Sequence, residues 1–363
     1  MTYKNVLCLL LLIFTLNACD RDLIDDVNFD RTAMLNNYAE NIIEPRYERL
    51  AINSNDLVSL ASDFQANTNL ITLEELRAQF KNTYLAWQGC SSTEFGPART
   101  STLKAIFNTY PVDTTQINNN INSGVYSLGT AQNIAAIGLP TIDYLLYGIK
   151  GTDAEILIAL STPATLNYLI DVCGQMNTAA QQVNTEWSGA YATTFINANG
   201  TDLGSSLGLL VNEMNLDFER FIRDGKVGIP LGKRSLGNPQ LDKLEAVHAK
   251  YSLELLQESI LKLEDLYTGT SSNGVNGIGF DDYLDAVNAS HSGQNLNSVI
   301  TQQFDDINGT INTLNADLEI SIQNNQNQVD EVYNKLQQMI VYLKVDLASN
   351  LGILISYQDN DGD

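Results

Sequence analysis

The sequence predicts an all-α protein, built as two up-down helical bundles packed together. Three observations predict it. Apolar residues recur at spacings of three and four, as in Val329, Val332, Leu336, Met339, Leu343 and Leu347. Helix-start signals stand before several such stripes. Segments that alternate with a period of two are few, and none is long.

The chain starts with Lys4 and an apolar run from Val6 to Leu16, broken only by Thr15 and ending at Leu16-Asn17-Ala18-Cys19. That run is too short to span a bilayer as a mature helix but suits a signal-peptide core. A small residue before cysteine at the end of such a core resembles the lipobox of bacterial lipoproteins. The resemblance implies that residues 1–19 are a lipoprotein signal peptide and that Cys19 becomes the lipidated N-terminus. Residues 20–30 are acidic and poor in apolar side chains, as expected of a linker between lipid and body. These features predict a lipid-anchored protein of the cell envelope, expected at the outer membrane and facing either the periplasm or the surface.

The body follows as helices. Leu35, Tyr38, Ile42, Tyr47 and Leu50 keep helical spacing across Pro45, which is expected to kink or break the helix. Thr72 with Glu75 reads as a capping box opening a stripe of Leu73, Leu76, Phe80, Tyr84 and Trp87. Thr162-Pro163 reads as an N-cap followed by proline at the first helical position, before Leu166, Leu169, Ile170 and Cys173. A helix over 210–224 is expected to stop at Gly225. The Gly- and Pro-rich segment 226–239 then reads as the loop between an N-terminal bundle (31–225) and a C-terminal bundle (240–363). Leu241, Leu244, Val247, Tyr251 and Leu255 read as one helical stripe opening the second bundle.

The net charge of -23 argues against nucleic acid as a partner, because such a surface repels phosphates. Beyond the signal segment only Cys90 and Cys173 remain. They are candidates for a disulfide in an oxidising envelope, although spacing does not set their separation. The two histidines, His248 and His291, are too few for a His-rich zinc site. Glu245 and His248 form one Glu-x-x-His, but a di-iron bundle needs two, and the residue three before His291 is Asn288.

Three local sequences stand out. Trp87 to Arg99 runs a helix into a polar turn that presents Glu94 beside Phe95. Gly138 to Gly148 starts with Gly-x-Pro and places Asp143 and Tyr144 early in a helix. The chain ends with Asp359, Asp361 and Asp363, which lack the glycine position of a calcium loop and read as a solvated tail. In this order, and together with Ile42-Ile-Glu-Pro-Arg-Tyr47, they resemble the imelysin-like family. That family includes the insulin-cleaving membrane protease and periplasmic iron-uptake proteins. Its diagnostic Gly-x-His-x-x-Glu matches Gly138, Pro140 and Asp143, so histidine is replaced by proline and glutamate by the shorter aspartate. The departure resembles a divergent lipoprotein branch of the family.

The resemblance implies that Glu94, Arg99, Gly138, Asp143 and Tyr144 line one binding cleft near the bundle interface, with Glu94 close to Asp143. Those two carboxylates are then solvated, neutralised by Arg99, or shared with a weakly held iron or other divalent cation. Without the imidazole, only oxygen ligands remain, and these are poor at generating hydroxide near neutral pH. A non-catalytic envelope protein linked to iron or haem uptake is therefore expected, with uptake components as partners. The alternatives are a peptidase with a degenerate metal site and a structural surface lipoprotein. Cys19→Ser should yield an unlipidated precursor; metabolic labelling of that variant with a fatty-acid analogue would refute the anchor assignment.

Overall fold

The computed structural model describes residues 29–358, and they are helical almost throughout. The signal segment, Cys19, residues 20–28 and the terminal Asp359, Asp361 and Asp363 lie outside the described residues. Phe29 and Asp30, assigned to the linker, already belong to the fold. Phe29 stacks on Tyr283 with ring centroids 4.3 Å apart, and the Asp30 carboxylate caps the first helix at the Ala33 amide.

That first helix, α1, runs unbroken over residues 31–66. Pro45 does not end it. The chain adopts π-helical bonding over Tyr38–Ile43, so that the Glu44 amide donates to the Ala39 carbonyl one turn position further back than usual. The wider turn accommodates a proline that has no N–H to give. Helix α2, Leu70–Cys90, starts earlier than the Thr72–Glu75 signal suggests. Asn69 is the cap, accepting from the Ile71 and Thr72 amides, and Thr72 supplies the return bond of the box. Helix α3, Gly138–Asp143, continues as a π-helical stretch over Tyr144–Gly148. Helix α4, Pro163–Glu186, opens at Thr162-Pro163 as expected.

Helix α5 covers residues 206–231, of which Asp217–Gly228 is π-helical. Gly225 therefore does not stop it. A Cβ there would lie 3.0 Å from the Tyr110 hydroxyl, so glycine serves a close approach inside the helix. The helix ends instead at Gly232, whose φ of 94° is left-handed. The stripe from Leu241 to Tyr251 is also not a helix. Apart from a single 3-10 turn at Leu241–Lys243 it is a series of turns, with Ala246 and Lys250 at positive φ, and α6 begins only at Ser252 and runs to Tyr267. Helices α7, Leu296–Ile311, and α8, Gln326–Ile340, complete the body, and α8 continues through a π-helical stretch, Val341–Leu347. Among the described residues the only strands are the two-residue pair Ser290–His291 and Gln294–Asn295.

Helix α1 packs between α2 and α4, α2 also packs on α6, and α8 packs on both α7 and the π-helical part of α5. The buried apolar side chains form one contiguous cluster reaching from Met34 to Ile353. Cys90 and Cys173 lie inside it as free thiols, so the disulfide does not form. Burial pushes both thiols up to about 12, which leaves them inert at neutral pH. Neither cysteine should alkylate with iodoacetamide in the native protein, and both should do so in denaturant without reductant. A mass spectrum showing an unmodified, linked pair in denaturant would contradict this.

Candidate functional site

The π-helical stretch Asp217–Gly228 buries five charged side chains: Asp217, Glu219, Arg223, Asp224 and Lys226. Buried charge must be paired, and the pairs organise the centre of the molecule. The Lys104 ammonium sits 3.1 Å from Asp217 Oδ1 and 3.2 Å from Glu213 Oε1, with Glu94 Oε2 at 3.6 Å. Burial alone would lower the pKa of this ammonium, but Asp217, Glu213 and Glu94 together raise it. Asp217 Oδ2 accepts from the hydroxyls of Ser91 and Ser92, both at 2.7 Å, at the end of α2. Arg99 closes the group from the solvent side with a 2.5 Å bond to Glu213.

A second set lies deeper. Lys226 is bonded to Glu245 and, at 2.8 Å, to Gln88 Oε1. Glu245 Oε1 in turn accepts from Asn108 at 2.7 Å and from Gln88 at 3.2 Å. The Glu245-x-x-His248 spacing is therefore not a ligand motif. It lies in turns, its acid is spent on a buried lysine, and the His248 ring faces Tyr144 at 5.6 Å between centroids. His291 pairs elsewhere, with Asp346 at 2.7 Å.

The residues singled out in the sequence do not meet in one cleft. Glu94 lines a cavity of about 550 Å3 together with Arg99, Lys104 and Phe221. Burial raises the Glu94 carboxyl above its ordinary value against the pull of Lys104, whose own backbone amide donates to Glu94 at 2.7 Å. Arg99 neutralises Glu213 rather than Glu94. Asp143 lines a different cavity, of about 430 Å3, with Pro140 and His248. Tyr110 and Pro111 line both cavities and stand between Glu94 and Asp143.

Asp143 is almost fully buried, and both its oxygens are used. Oδ2 accepts from the His248 amide at 3.0 Å and Oδ1 from the Ala249 amide at 2.8 Å. It clamps the turns that the positive φ of Ala246 and Lys250 create. Gly138 is needed for packing: its φ is 77°, and a Cβ would come within 2.5 Å of the Ile106 carbonyl oxygen. Tyr144 rests on His248, with its hydroxyl accepting from Asn118 at 3.4 Å. A metal does not fit here, since Pro140 offers no donor and the Asp143 oxygens already serve two amides. Among the described residues no three His, Cys, Asp or Glu side chains converge as ligands.

Lys104, Tyr110, Glu213, Asp217, Arg220, Lys226 and Lys243 were not singled out by the motifs. A signal was present for two of them. Glu213 and Asp217 fall on the same helical stripe as Leu210, Met214 and Phe218, so acids occupy a face that the pattern marks as core.

Compared with known proteins, the chain matches the imelysin family over residues 43–345. No curated protein matches it. Solved structures that share the fold include the following two. One, from Parabacteroides distasonis, is described as an iron-regulated protein A precursor; it is 15% identical with a TM-score of 0.73, over 88% of this chain and 95% of that one. The other is an imelysin-like protein from Psychrobacter arcticum, 18% identical with a TM-score of 0.70, over 90% of this chain and 97% of that one.

Burial pushes the Asp143 carboxyl up to about 7, against the two amide bonds that lower it. Folding then takes up a proton at Asp143, so its stabilising contribution is full below about pH 4 and is lost as the pH rises through about 7. Asp143→Asn can accept only one of the two amides, which should cost about 1–3 kcal/mol. The variant also loses the proton uptake. In urea unfolding, the stability gap between wild type and variant should be wider at pH 5 than at pH 8; a gap that does not change with pH would contradict the burial argument.

Proposed function

Because the chain belongs to the imelysin family, we propose that it is a non-catalytic, lipid-anchored envelope protein that binds a ligand in the cavity beside Phe221 in the service of iron or haem uptake. The observation that carries this reading is the use made of Asp143. At the family's Gly-x-His-x-x-Glu positions, the histidine is Pro140 and the acid holds two backbone amides. Chemistry at that position would need an open metal coordination site or a free carboxylate to move a proton, and the residues present are committed to the fold. A cavity of about 550 Å3, in contrast, is of the size that takes a small molecule.

Anchoring follows from the Ala18-Cys19 junction. The iron connection comes from the Parabacteroides protein described as iron-regulated, whose fold this chain shares. Partners are expected among envelope uptake components. Purified protein incubated with unfolded casein, with and without chelator, should leave the casein intact, and the transcript should rise under iron starvation. Chelator-sensitive cleavage would overturn the non-catalytic assignment, and a transcript indifferent to iron would remove the link to uptake.

A further inference from the structure

Around the cavity of about 550 Å3, the acids are already engaged, while among the described residues two donors are not. Glu94 is held by Lys104, and Glu213, at the adjoining cavity that shares Arg99, Lys104 and Arg220, is held by both Lys104 and Arg99. Two other groups on the walls are donors with no acceptor among the described residues. The half-buried Lys243 ammonium has no carboxylate within ion-pair distance. The Tyr110 hydroxyl, brought beside Gly225, makes no hydrogen bond among the described residues. The wall between them is apolar, with Phe221, Ile229 and Pro111.

A half-buried ammonium and an idle hydroxyl are completed by an acceptor that carries negative charge, since charge-assisted hydrogen bonds are the stronger kind. We propose that this cavity binds a small organic anion, its carboxylate or phosphate head on Lys243 and Tyr110 and its compact apolar body against Phe221 and Ile229. The net charge of -23 repels anions at a distance. Selection therefore rests on the local donors rather than on the overall field. The inference builds on the assignment of this cavity as the ligand site and adds the charge and shape of what it takes.

Calorimetric titration of the wild-type protein with 1-naphthoate, 1-naphthyl phosphate and 1-naphthylmethylammonium tests it. At least one of the anions should bind, and the cation of the same ring system should not. Lys243→Ala should weaken the anion by about tenfold, and Lys243→Arg should restore most of it. Because the Lys243 side chain has no internal partner, the urea midpoint of both variants should stay at the wild-type value. The inference is overturned if neither anion gives heat up to millimolar concentration, if the cation binds as well as the anions, or if Lys243→Ala binds as tightly as wild type. These outcomes concern the sign of the ligand charge and are independent of casein cleavage, which tests the non-catalytic assignment.

Discussion

The centre of the molecule depends on the neutralisation of Lys104. An ammonium buried there without partners would cost several kcal/mol, on the order estimated for an unpaired interior ion. Asp217, Glu213 and Glu94 supply the counter-charge from two different parts of the chain. Once they do, the geometry of several elements is tied together. The end of α2 is held to α5 through Ser91, Ser92 and Asp217, and the turn carrying Glu94 is held to the short helix Leu103–Phe107 through the Lys104 amide. The π-helical winding of Asp217–Gly228 belongs to the same arrangement, since it is along this stretch that Asp217 and Lys226 reach partners in separate buried groups.

The pairing also decides what the cavity presents. Carboxylates that a motif-based reading would offer to a cation are consumed internally, and the cations that hold them are consumed as well. Among the described residues, the wall keeps the Lys243 ammonium and the Tyr110 hydroxyl without a partner, and the Phe221 ring on the same wall lies 4.1 Å from the Lys104 ammonium. An acidic protein thus carries a pocket whose free polar groups are of the opposite character to its surface.

At Gly138, Pro140 and Asp143 the residues serve the fold. Asp143 lies where α3 passes into its π-helical stretch, and Gly138 lets the start of that helix approach the carbonyls of Ile106 and Phe107. With Pro140 one turn before it, the acid anchors the turns at 244–251. Those turns carry Glu245 into the buried pair with Lys226, so the anchor and the second ionic group are parts of one construction.

Helical periodicity and composition determined the all-α class, the positions of α1, α2, α4 and α8, and the signature shared with the imelysin family, because these depend on local spacing and on a few conspicuous residues. Local spacing did not determine where helices stop. Pro45 and Gly225 sit inside helices because π-helical turns and the approach of Tyr110 outweigh their intrinsic preferences, while the stripe from Leu241 to Tyr251 is denied a helix by the clamp of a carboxylate distant in sequence. Nor could spacing separate Glu94 from Asp143, or keep Cys90 and Cys173 apart. Which acid meets which lysine is a matter of long-range approach in a medium where an unpaired charge is costly, and only the tertiary structure decided it.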